Sequence, residues 1–178
     1  LNGSVLVGTP FSGSYTFDPG APDADPCLDS SRFSFDPSAG YGLTLHIGSY
    51  VVKTEPSAPF FISVLLNEIL HDGDGYFVLS LGNKGVDTDP SRVRGVGVVA
   101  GFRGPAGLLP SDALPLALPP LSSFTVENRL LFFGADYGFD PQPVFNVEGR
   151  FTSVTVGPGS LEAAATKTTV SRSGGSQR

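Results

Sequence analysis

Apolar residues along this chain recur at every second position, and that spacing constrains the fold more than any other feature. "FSGSYTF" (11–17) sets Phe11, Tyr15 and Phe17 on one side of an extended segment and Ser12, Ser14 and Thr16 on the other. "YGLTLHI" (41–47) repeats the pattern, with Tyr41, Leu43, Leu45 and Ile47 against Thr44 and His46. Successive side chains of a strand point to opposite faces, so this spacing marks half-buried β-structure; a helix would need apolar residues three and four apart. "YVVKT" (50–54) follows at once and reads as the return strand. "FFISVLL" (60–66) is apolar on both faces, which suits a central strand buried on two sides or a strand at an interface. "HDGDG" (71–75) reads as a turn with Gly73 and Gly75 at positive φ, and "YFVLSLG" leaves it, making residues 60–82 a hairpin. "RVRGVGVVAGF" (92–102) alternates Val96, Val98, Ala100 and Phe102 with glycines, a pattern that lets another backbone approach closely. "FTVENRLLFF" (124–133) and "VFNVEGRFTSVTV" (144–156) read as the last two strands, with Phe145, Val147 and Phe151 on one face.

These segments make about eight or nine strands and no helix. Each has one apolar face to hide, so the expected fold is all-β: an antiparallel β-sandwich of jelly-roll or Greek-key type, with a closed barrel as the alternative. The connections at 18–32 and 103–121, the second holding five prolines, are expected to be its crossovers. A chain of 178 residues buries roughly 70% of its unfolded surface, and 40% of this one is apolar, with 14 Phe for a core. The 23 Gly and 16 Pro fall between the apolar runs, as in a turn-rich β protein. Residues 1–156 are expected to form the sandwich domain. Residues 157–178, "GPGSLEAAATKTTVSRSGGSQR", lack aromatic residues and read as a polar tail or linker. Within that tail "SLEAAATK" suits two helical turns and "KTTVS" an added edge strand.

Charge and cysteine content narrow the partners. The formal net charge is −6, and residues 157–178 carry Glu162 against Lys167, Arg172 and Arg178, leaving −8 on the rest. Nucleic acid needs a basic stripe to replace its counterions, and no such stripe occurs; anionic membrane surfaces are excluded for the same reason. No run reaches 18 apolar residues, so no membrane span is expected. The single cysteine, Cys27, rules out an internal disulfide and a thiolate metal cluster. The sequence begins at Leu1 and contains no Met, which suits a mature secreted form and equally an expression fragment.

The densest polar cluster runs from 17 to 37, where Asp18, Asp23, Asp25, Asp29 and Asp36 alternate with Pro19, Pro22, Pro26 and Pro37. It reads first as a solvated connection, since Asp-Pro pairs initiate turns. Its alternative reading is a Ca2+ site at Asp23, Asp25 and Asp29, because Ca2+ takes six to eight oxygens in flexible spacing. No other cofactor is expected. "HDGDGY" (71–76) lacks the third acidic position of a calcium loop, where Tyr76 stands, and the simple turn is preferred. The two histidines, His46 and His71, lie in no hydrolase or metalloprotease motif, and the spacing of Glu55, Glu68, Glu127 and Glu148 suggests no catalytic pair. No enzyme activity is expected. Carboxylates around Cys27 disfavour its thiolate, though it remains able to pair with another chain. Sugar-binding sandwiches present exposed aromatic rings; this chain has no Trp, and Tyr41, Tyr50, Tyr76 and Tyr137 remain as platforms. Tyr137 and Phe139, in the polar loop "GADYGFDPQP" (134–143), are the chosen ligand candidates; the alternative is that one plugs the end of the sandwich.

Four fragments occur in order: "GSYTFDPGAPDADP", "DGYFVLSL", "LPSDALPLALPPLSSF" and "VEGRFTSVT". Together, over roughly residues 3–156, they resemble a family of small secreted bacterial proteins of unassigned function associated with PEP-CTERM sorting. The resemblance implies export and a β-rich domain and brings no catalytic residues. The sorting sequence Val-Pro-Glu-Pro would follow "TSVT"; "VGPGS" stands there instead, so a free extracellular or truncated form is expected rather than an anchored one. Two functions remain: a secreted, non-enzymatic structural or self-assembly protein of the bacterial cell surface or matrix, and a carbohydrate-binding module for extracellular polysaccharide, with or without Ca2+.

Overall fold

A computed structural model describes residues 5–25, 27, 29–68, 73–86, 93, 95–135, 143–157, 160–165 and 167–171. Their strands are β1 (Phe11–Thr16), β2 (Ser30–Phe35), β3 (Gly42–Ile47), β4 (Tyr50–Thr54), β5 (Phe60–Glu68), β6 (Gly73–Ser80), β7 (Asn83–Lys84), β8 (Gly95–Pro105), β9 (Glu127–Ala135), β10 (Pro143–Arg150), β11 (Ser153–Gly157), β12 (Ser160–Ala165) and β13 (Lys167–Ser171). They form two antiparallel sheets in a sandwich: six strands in the order β11-β12-β1-β3-β4-β7, and seven in the order β13-β10-β9-β8-β6-β5-β2. The late strands β11 and β12 return to lie beside β1, the long-range closure of Greek-key-type topologies.

The alternation read from the sequence is what builds the core. Phe11, Tyr15, Leu43, Leu45, Ile47 and Val52 of one sheet meet Ile62, Val64, Val78, Val98, Phe102, Phe132 and Val147 of the other, all buried. Each large side chain so enclosed contributes about 1.5–3 kcal/mol. Two polar links cross this interior. The Tyr15 and Tyr76 hydroxyls lie 2.7 Å apart between the sheets. At one end the Leu43 N–H donates to Thr54 Oγ1 (2.9 Å), whose hydroxyl lies 2.7 Å from that of Ser80. Ser80 in turn donates to Asn83 Oδ1 (2.7 Å), while Asn83 Nδ2 donates to the Ser80 and Val96 carbonyls. Buried polar groups need such partners, and these pin the short β7 to the opposite sheet.

Several elements depart from the expectation. The strands number thirteen among the described residues rather than eight or nine. "VFNVEGRFTSVTV" divides into β10 and β11, which belong to different sheets. The corner is made by Asn128, which donates to the Phe151 carbonyl and accepts from its N–H, both at 3.2 Å, as the Phe151 ring turns into the core. The loop after β8 is not a crossover. It returns to β9, which pairs with β8 in the same sheet. "SLEAAA" takes a strand, β12, because its backbone pairs on both sides, with β1 and β11, and pairing outweighs helix propensity. β13 is the edge strand of its sheet, beyond β10.

Candidate functional site

The acidic loop is ordered by its own carboxylates. Asp23 Oδ1 accepts the N–H groups of Asp25 and Arg32, both at 2.9 Å, and Oδ2 accepts the Ser31 hydroxyl at 2.9 Å. Asp25 accepts the Cys27 N–H (3.1 Å) and the Ser30 hydroxyl (2.9 Å). These donors hold both carboxyls below the ordinary aspartate value: for Asp23 the N–H groups of Asp25 and Arg32 act most, for Asp25 the Cys27 N–H. Asp36 is lowered in the same way by Ser38, whose hydroxyl and N–H it accepts. Cys27 is exposed, and the neighbouring Asp25 pushes its thiol up, away from nucleophilic use. Asp29 is exposed, and its carbonyl receives the Leu66 N–H. Among the described residues no group of three or more His, Cys, Asp or Glu is placed to hold a metal ion. The Asp23 and Asp25 carboxylates are taken up by N–H groups of their own loop and by the backbone and hydroxyls of β2.

The "HDGDGY" segment is described from Gly73 onward. Gly73 and Gly75 belong to β6 and neither has positive φ; Gly73 is there for space, since a Cβ would strike the Gly104 carbonyl. Asp74 is fully buried and accepts the N–H groups of Asn67 (3.0 Å) and Leu109 (2.8 Å). It thus ties the bulge of β5, where Asn67 has φ 47°, to the long β8–β9 loop. Its task is structural.

Of the other residues singled out, His46 is exposed on β3, and His71, Tyr137 and Phe139 lie outside the described residues. Tyr76 is no platform, because its ring is 1% exposed and burial raises its hydroxyl well above the usual range. Tyr41 and Tyr50 pack partly buried against the core. Glu127 and Glu148 line one open groove of about 1030 Å³ with Asn128, Arg129 and Arg150. There Arg129 Nε donates to Glu127 Oε1 at 2.7 Å, and Asn146 Nδ2 donates to Glu148 Oε1 at 3.3 Å.

The largest unexplained feature is the face of the seven-stranded sheet turned away from the sandwich. Register places Phe61, Leu65, Phe77, Leu79, Val99, Leu131 and Phe133 there, between the core-facing positions of β5, β6, β8 and β9. Phe61 is buried and the other six are half-buried. The glycines of β8 make this possible: a Cβ on Gly97 would collide with the Phe133 ring, and one on Gly101 with Glu127 and the Phe77 ring. Side-chain rings, rather than the neighbouring backbone expected from the glycine pattern, take that space. Arg32 stacks on Phe61 with its guanidinium 4.0 Å from the ring centroid, and Arg103 lies 5.9 Å from that of Phe77. Leu65, Phe77, Val99 and Leu131 floor a depression of about 320 Å³ rimmed by Arg103, Arg129 and Glu127. The two-sided apolarity of "FFISVLL" signalled one strand of this face; the other three became recognisable only through the pairing.

In comparisons with known proteins, no family model, no curated protein and no solved structure matches this chain.

Proposed function

We propose that the chain is a non-enzymatic structural or assembly module of the bacterial cell surface or extracellular matrix, and that it associates with a second copy through the outer face of its seven-stranded sheet. The carrying observation is that face. A sheet with one side in water normally alternates apolar-in with polar-out, whereas the middle of β5, β6, β8 and β9 places Phe61, Leu65, Phe77, Leu79, Val99, Leu131 and Phe133 on the outer side as well. Seven strands span about 29 Å at their usual spacing, room for the roughly 800 Å² per partner of a stable interface. The rim carries both signs, Arg103 and Arg129 beside Glu127, so a two-fold-related copy meets a rim of mixed charge rather than of one sign. Export is supported by the resemblance to small secreted proteins carried by "GSYTFDPGAPDADP" and "VEGRFTSVT".

Light scattering of the full chain over a wide concentration range tests the reading. Wild type is expected above 18.5 kDa at high concentration, with Leu131→Glu held at the single-chain mass. A wild-type protein of single-chain mass throughout rejects it.

The groove beside Glu127, Asn128, Arg129, Glu148 and Arg150 favours a second reading, a carbohydrate-binding module, since these side chains offer donors and acceptors for sugar hydroxyls. A glycan array bound by wild type and lost in Arg129→Ala would support it; an empty array with and without Ca2+ would remove it.

A further inference from the structure

The seven-stranded sheet ends at β2, and its end is covered. Asp29 lends its carbonyl to Leu66, and the register continues with Ser31, Phe33 and Phe35 opposite Val64, Ile62 and Phe60. In an antiparallel pair the bonded residues alternate, so the backbone groups of Ser30, Arg32 and Ser34 face outward. The acidic loop occupies the middle of that edge. Ala24 N–H donates to the Arg32 carbonyl (2.9 Å), and the Arg32 N–H donates to Asp23 Oδ1 (2.9 Å). Ser31 and Ser30 secure the same loop through Asp23 and Asp25. The loop therefore supplies one rung of strand pairing, with a carboxylate oxygen standing where a partner's carbonyl would be.

We propose that residues 18–25 form a releasable guard on the β2 edge: in place it ends the sheet, and lifted it lets β2 pair edge to edge with β2 of a second copy. An uncovered edge is a row of open donors and acceptors that recruits another chain. A two-fold axis at Arg32 sets Ser30 opposite Ser34 with backbone groups matched. The one conflict is Arg32 against Arg32, and each guanidinium is already drawn over its own Phe61 ring. The guard deepens the assembly reading and rests on it for its purpose, since it closes one of the two edges of the sheet that carries the outer face.

The test uses the full-length chain carrying Leu131→Glu, so that face-to-face association is absent. Asp23→Ala is expected to speed exchange of the Arg32 amide by about tenfold, the loss of one hydrogen-bonded rung. It should also produce species larger than one chain, which adding Ser34→Lys at the edge should suppress. If Asp23→Ala does not fold, Ser31→Ala, which removes one of three donors to Asp23, should show the same changes to a smaller extent. Unchanged Arg32 exchange in the folded variants, or faster exchange with the mass still that of one chain, overturns the guard. Failure of the outer-face reading would appear separately, as a single-chain mass for wild type.

Discussion

Strands β5, β6, β8 and β9 carry large apolar side chains on both faces of their sheet, and among the described residues only the inner face is covered by a second sheet. On the inner side Phe102, Phe132, Val98 and Val78 meet the six-stranded sheet and are almost fully enclosed. On the outer side Phe77, Val99, Leu131 and Phe133 are half-buried, with Arg103 over the Phe77 ring and no second sheet above them among the described residues. The same strands thus carry one face packed in the core and another that meets no second sheet among the described residues. That second apolar face is the observation behind the proposed self-association.

Substitutions on the inner face should have the largest effect. Phe132→Ala removes a fully buried ring touching Phe145 edge-on at 5.2 Å, and urea unfolding should show a loss of about 3–5 kcal/mol. Phe133→Ala, one residue along and on the other face, should cost much less; equal losses would make both faces core. Tyr15→Phe should destabilise by about 1–2 kcal/mol, because the buried Tyr76 hydroxyl loses its 2.7 Å partner. A loss near zero would deny that link a part in joining the sheets.

Acid gives the smallest and most local effect. Asp23 and Asp25 have folded pKa values below the ordinary 3.8. Their contribution is therefore complete above that value and is lost as pH falls through the lowered ones. Asp25 opposes ionisation of Asp23, while Arg32 favours that of Asp25. The Arg32 amide resonance should shift with a midpoint below 3.8 while core resonances hold. A midpoint at or above 3.8 would mean the carboxylates do not grip the β2 edge.

What the sequence shows follows the range of the forces that act. Period-two alternation is local, so the sandwich class and the buried sides of β1, β3 and β8 were legible from residue spacing. Pairing is not local: nothing near "FTVENRLLFF" announces that it returns beside the glycine-rich strand, or that Asn128 turns the corner at Phe151, 23 residues away. The acidic loop was visible as a cluster, but its partners are the backbone and hydroxyls of β2, a relation that composition does not carry. Asp74, in a stretch that reads as a turn, proved to be a buried anchor because Leu109 reaches it from 35 residues away. The outer apolar face needed four strands in register before it existed as a surface.

Hydroxyl-radical footprinting of the full chain at rising concentration tests the contrast between the faces most directly. Phe77, Leu131 and Phe133 should be labelled in dilute solution and progressively protected, while Leu130 and Phe132 stay unlabelled throughout. Labelling of the outer residues that does not change with concentration would contradict the account.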